Sequence, residues 1–83
     1  MFKLIISLQA QNEIKRISKD HQKAIKLAIL ELREDPGLGK PLNRELAGRL
    51  TLKVGLYRII YKVDEADRVI KILSAGHRAV VYK

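Results

Sequence analysis

The 83-residue chain reads as one α+β domain of order β-α-α-β-β-β, a small, largely antiparallel sheet covered on one face by a helical hairpin. Three observations predict this. Residues 49–63, RLTLKVGLYRIIYKV, alternate apolar and polar side chains with a period of two on either side of Gly55–Leu56. Residues 9–34 instead carry apolar residues at helical spacing, with a polar break near Ser18–His21. Aliphatic runs at both ends, FKLIISL and VIKILSA, supply two further strands. A chain of this length leaves no room for a second domain, so the domain spans residues 1–83.

Taken in order, residues 2–8 form the first strand, with Leu4–Ile5–Ile6 buried on both faces for part of its length. Ser7 is placed to cap a helix opening at Gln9 or Ala10, whose stripe is Ala10, Ile14 and Ile17. A second helix starts near Asp20, the expected N-cap, and buries Ala24, Ile25, Ala28, Ile29 and Leu32, with Leu27 and Leu30 widening the stripe. Asp35–Pro36–Gly37 stops it, because proline disfavours helix at the preceding residue and glycine permits the turn. Residues 37–48 read as a loop pegged to the core by Leu38, Leu42 and Leu46.

The hairpin follows. Leu50, Leu52 and Val54 oppose Arg49, Thr51 and Lys53 in its first strand; Tyr57, Ile59, Tyr61 and Val63 oppose Arg58, Ile60 and Lys62 in its second. One face therefore seals a core and the other displays cations. After a polar turn at 64–68, residues 69–75 form the last strand, with Val69, Lys71, Leu73 and Ala75 on one face and Ile70, Ile72 and Ser74 on the other. Gly76–His77–Arg78 ends it, and residues 79–83 are expected to make at most a single helical turn.

Composition narrows the function. Seventeen Lys and Arg against nine Asp and Glu give a net charge of +8, which favours a polyanion: nucleic acid, an anionic membrane surface or an acidic protein. The absence of cysteine removes disulfides and thiolate metal sites, and two histidines leave too few ligands for a metal centre, so no cofactor is expected. No apolar run approaches the roughly 18 residues of a membrane span, and FKLIISL is too short for a signal peptide, which points to a soluble cytoplasmic protein.

Three clusters are chemically notable: the cations Arg49, Lys53 and Arg58 on or beside the hairpin, the Gly76–His77–Arg78 strand end, and Tyr82. Arg58 opens its strand and Arg78 follows the end of the next, so an antiparallel pairing brings them to one edge of the sheet. Two guanidiniums there suit a phosphate. Plainer readings stand beside these. Arg49 and Lys53 also read as solvated strand charges, Arg58 as half of a structural ion pair and His77 as a turn residue. Tyr82 reads equally as core packing or as a base-stacking ring, Tyr57 and Tyr61 as core, and His21 as polar surface or cap.

The segment LAGRLTLKVGLYRIIYKV and the close LSAGHRAVVYK resemble the RelE/ParE toxin superfamily of type II toxin–antitoxin modules. Leu46, Gly48, Gly55, Tyr57 and Arg58 match the family's middle segment, and Gly76, His77, Arg78 and Tyr82 its close. Thr51 stands where RelE-type nucleases carry a basic residue, and Leu56 where a polar residue is usual. The resemblance implies the RelE-like fold and, for the RelE branch, cleavage of messenger RNA in the ribosomal A site; the ParE branch inhibits DNA gyrase. The retained Arg58, Arg78 and Tyr82 make the chain more similar to RelE; the alternatives are a ParE-like gyrase inhibitor and a non-toxic basic RNA- or protein-binding domain. In that reading Arg58 and Arg78 bind and stabilise the phosphate, with Arg49 and Lys53 as further RNA contacts. Lys53 and His77 are the acid–base candidates, and Tyr82 stacks on a base. The partner implied is an acidic, RelB-like antitoxin.

Overall fold

The computed structural model describes residues 1–42 and 48–77. Its elements are β1 (Lys3–Ile6), α1 (Leu8–Lys15), α2 (Lys19–Glu34), a short 3-10 turn (Pro36–Leu38), β2 (Lys40–Pro41), β3 (Leu50–Val54), β4 (Tyr57–Asp64) and β5 (Val69–His77). The strands form one sheet in the order β1-β5-β4-β3-β2. β1 runs parallel to β5, and all other pairs are antiparallel.

The core lies between the helices and one sheet face. Ala10 and Ile14 of α1 and Ile25, Ile29 and Leu32 of α2 pack with Ile59, Tyr61, Ile70, Ile72 and Ala75. Ile25, Leu32, Ile59, Ile70 and Ile72 are fully buried, and each contributes roughly 2 kcal/mol of transfer free energy. That exceeds anything the capping and surface contacts supply, so the hairpin of helices depends on the sheet for its stability.

Several boundaries differ from expectation. The first strand stops at Ile6 because Ser7 belongs to the helix: its Oγ accepts from the Ala10 N–H at 3.0 Å and donates to the Leu73 carbonyl at 2.9 Å. The helix therefore opens at Leu8, and Leu8 is exposed. Ser18, rather than Asp20, precedes α2, and Asp20 falls in its first turn, where a carboxylate favours the helix dipole. Leu27, Leu30 and Leu38 are exposed, so the buried stripe of α2 is narrower than predicted and Leu38 does not peg the loop. That loop instead carries β2, whose two residues pair with Leu50 and Thr51 at the sheet edge. Leu46 and the 79–83 tail lie outside the described residues.

The last strand runs two residues further than predicted and carries an irregularity. Ile60 pairs with Ser74, yet Tyr61 pairs with Ile72, so Leu73 is an extra residue in the ladder. The bulge reverses the alternation beyond it. Ala75 consequently joins Ile70 and Ile72 in the core, not Val69 and Lys71 as the unbroken period predicted. β1 ends opposite Ile72, and α1 takes over the edge of β5 from there: Glu13 Oε1 accepts from Ser74 Oγ at 3.0 Å and from the Ala75 N–H at 3.2 Å.

Candidate nucleic-acid interface

The hairpin turn sets the register of the cationic face. Gly55 has φ of +62°, a value glycine adopts without steric cost, and the two-residue link Gly55–Leu56 leaves Val54 opposite Tyr57. Lys53 is thereby directly opposite Arg58, and Arg58 is in turn opposite Gly76 on β5. Since Leu52, Val54, Tyr57 and Ile59 belong to the helix-covered core, Lys53 and Arg58 lie on the other face of the sheet. Lys53 is exposed, whereas Arg58 is half-buried with its Nε enclosed. Enclosure at Nε restricts the side chain's rotation, and a restricted guanidinium is what paired bonds to a phosphate require.

Successive pleats order the rest of that face. Next comes a row of Lys40, Thr51, Ile60 and Ser74, in which the last three are buried. The following row holds Lys62 opposite Lys71, with Ile5 beyond on β1. Arg49 immediately precedes β3; continuing the register sets it opposite Lys62, and its carbonyl accepts from the Leu42 N–H at 3.0 Å. Arg49 therefore belongs with Lys62 rather than beside Arg58, roughly 13 Å along the strands at about 3.3 Å per residue.

His77 pairs with Tyr57, which puts it on the helix side, behind Arg58. Its ring meets Tyr57 edge-on with centroids 5.9 Å apart, and Tyr57 also contacts His21 at 5.0 Å. His21 is exposed, as expected of polar surface or a cap: its Nδ1 lies 2.7 Å from the Oγ of Ser18, the residue that precedes α2, while its ring adjoins Tyr57. The geometry unites Lys53 with Arg58 on one face and His77 with Tyr57 and His21 on the opposite one. Arg78 and Tyr82 lie outside the described residues; Arg78 follows Arg58's partner Gly76 by two positions.

Tyr61, expected in the core, is fully buried and ties the 36–39 segment to the sheet. Its hydroxyl donates to the Pro36 carbonyl at 2.7 Å and accepts from the Gly39 N–H at 2.9 Å. Burial raises its pKa above the ordinary phenol value; the Gly39 hydrogen bond opposes this and the Asp35 carboxylate adds to it. On the helix side, a groove of about 440 Å³ runs between α1, α2 and β1 over Leu4, Ile6, Ile14 and Ile29, with Lys15 and Lys26 at its rim. Among the described residues no three His, Asp or Glu side chains converge as a metal site would need, and no helix is long and apolar enough to cross a membrane.

Lys62 and Lys71 were not among the residues singled out from sequence. Alternation alone puts Lys62 on the face of Arg58; their mutual opposition needed the 64–68 turn and the β4–β5 register.

A helical hairpin over a five-stranded, mostly antiparallel sheet is the architecture of the RelE-like toxins. The isolated RelE toxin of E. coli superposes with a TM-score of 0.80 at 22% identity, covering 99% of this chain and 92% of that one. The RelBE2 toxin–antitoxin complex of Mycobacterium tuberculosis gives a TM-score of 0.84 at 29% identity, covering 93% of this chain and 98% of its counterpart. Toxin RelG of M. tuberculosis (strain ATCC 25618 / H37Rv) is 38% identical over 60 residues, 71% of this chain and 69% of that protein. The chain belongs to the ParE toxin family of type II toxin–antitoxin systems, whose model matches residues 4–82, and so to the RelE/ParE superfamily that its motifs implied.

Proposed function

We propose that this toxin is a ribosome-dependent, metal-independent endoribonuclease that cuts messenger RNA and thereby stops translation. The observation that carries the reading is the opposition of Lys53 and Arg58 on the sheet face away from the helices, with Arg58 in turn opposite Gly76. RNA brings its own nucleophile. Its 2′-oxygen attacks the adjacent phosphorus while the bond from phosphorus to the 5′-oxygen breaks, leaving a 2′,3′-cyclic phosphate and a free 5′-hydroxyl. Negative charge grows on the phosphoryl oxygens during the step, and a fixed guanidinium stabilises it more than it stabilises the ground state. Arg58 takes that role. Arg78 holds the same phosphate or eases departure of the 5′-oxygen, and Tyr82 stacks on a neighbouring base. Arginine stays protonated and cannot shuttle protons. Lys53 shares the face of Arg58 and is the nearer acid–base candidate; His77 must reach around the end of β5 from the Tyr57 side.

The partner of this reading is an acidic antitoxin. Two features suit one: the apolar groove rimmed by Lys15 and Lys26, and the Lys53–Arg58 pair on the sheet, which together accept an amphipathic acidic chain wrapping both faces. Expression of the wild type in a bacterial host should halt growth, while Arg58→Ala and Arg78→Ala should each restore it with circular dichroism unchanged. Full toxicity of both variants removes the catalytic assignment.

A second reading, inhibition of DNA gyrase, is favoured by the ParE description of the matching family and by Thr51 in place of a cation. It requires DNA breaks and an SOS response on induction without cuts in messages.

A further inference from the structure

We infer that Arg49, Lys62 and Lys71 form a second RNA-backbone site, distinct from the Lys53–Arg58 pair and resting on the RNA-cleaving reading above. Lys62 and Lys71 are cross-strand partners on β4 and β5, both exposed, and Arg49 continues the same row towards β3. Like charges placed directly opposite each other in an antiparallel ladder destabilise it. Here three cations stand side by side on neighbouring strands. Among the described residues two carboxylates lie one pleat away and both are engaged: the Asp64 Oδ1 accepts from the Asp67 N–H at 3.0 Å and helps to form the turn, and Glu13 holds Ser74 and Ala75. Among the described residues no carboxylate is paired with the row, which keeps a concentrated positive charge, and a bound polyanion removes the repulsion.

The row is physically separate from the cleavage site. Between them lie Thr51, Ile60 and Ser74, all buried, and Ser74 is held by Glu13. The two cationic rows are about 13 Å apart along the strands at about 3.3 Å per residue. A phosphate gripped by Arg58 beside Lys53 is thus far from the line between Lys62 and Lys71, which are placed for a different phosphate. Lysine, a compact charge on a flexible stem, suits backbone positioning without sequence readout. Exposed lysines with few apolar neighbours beyond Ile5 fit a phosphate backbone better than a protein surface. The phosphates come either from the message strand or from folded ribosomal RNA, and the two sources share this chemistry.

The experiment uses the full chain with Arg58→Ala, so that RNA is not consumed, with and without Lys62→Gln and Lys71→Gln. Binding is measured against salt for two probes, a short single-stranded oligoribonucleotide and message-free bacterial ribosomes. Loss of two phosphate contacts should lower the log–log salt slope by about 1.4 and weaken binding roughly tenfold at physiological salt, at about 0.7 per phosphate on a single strand. A loss on ribosomes alone assigns the row to ribosomal RNA, a loss on the oligoribonucleotide alone assigns it to the message strand, and a loss on both shows a site that takes either backbone. The urea midpoint should stay level or rise, because the repulsion is gone. If the Arg58→Ala chain binds both probes and the added substitutions change neither slope nor affinity, the second site falls and the cleavage reading stands. If that chain binds neither probe, the RNA reading falls first. Weakened binding of an acidic antitoxin peptide with RNA binding intact, or a lowered urea midpoint with RNA binding intact, also overturns the inference.

Discussion

Removing one oxygen, by Tyr61→Phe, tests how the sheet holds its edge. The phenol joins two backbone groups of the 36–39 segment, the Pro36 carbonyl at 2.7 Å and the Gly39 N–H at 2.9 Å, while its ring is fully buried under the helices. Phenylalanine keeps the ring packing and abandons both partners. At about 1 kcal/mol net for each bond, the loss is about 2 kcal/mol. For a domain of this size that lowers Tm by roughly 8–16 °C. Urea unfolding followed by circular dichroism measures it, with an unchanged m-value showing that the denatured state is the same. Gly39→Ala makes a sharper comparison: its Cβ would lie 2.5 Å from Tyr61 Oη and 2.8 Å from the Thr51 carbonyl oxygen. Phenylalanine at 61 relieves the first clash and leaves the second, so the two substitutions should be less than additive when combined. A Tyr61→Phe loss below about 0.5 kcal/mol, against the ~2 kcal/mol expected from the bonds, would show that this hydroxyl does not anchor the segment.

The same phenol predicts a pH effect. Its folded pKa lies above the unfolded one, so its contribution is whole below about pH 10 and is lost as the pH rises through the folded value. The stability gap between wild type and Tyr61→Phe should therefore narrow with increasing alkalinity, as urea midpoints at neutral and alkaline pH would register. Glu13→Ala strands Ser74 Oγ and the Ala75 N–H, and should cost about 1–3 kcal/mol of unfolding free energy in the same assay. Ser7→Ala removes the cap of α1 and the bond to the Leu73 carbonyl, for about 1 kcal/mol or somewhat more by thermal melt.

Patterns one element long were legible in the sequence, and features set between elements were not. The period of two gave both hairpin strands and put Lys53 and Arg58 on one face, because alternation is a property of the strand alone. Helical spacing gave both helices, although Leu27 and Leu30, apolar and beside the stripe, are exposed and Leu30 lines the groove instead. The bulge at Leu73 has no residue signature; it arises where β1 stops and α1 binds the edge of β5 through Ser7 and Glu13, and it moved Ala75 into the core. Strand β2 is two residues long, too short for any period, and owes its place to pairing with Leu50 and Thr51. Arg49 and Arg58 share the hairpin's cationic face, yet the ladder separates them by two pleats and aligns Arg49 with Lys62 and Lys71. His77 adjoins Arg78 in the chain but turns to the Tyr57 face.

Primer extension on cellular messages after induction tests the proposed chemistry most directly. Wild type should leave 5′ ends at fixed positions within codons, and Arg58→Ala or Arg78→Ala should abolish them while remaining folded. Cuts persisting in both variants, or growth arrest by the wild type with intact messages and broken DNA, would contradict a nuclease built around Arg58.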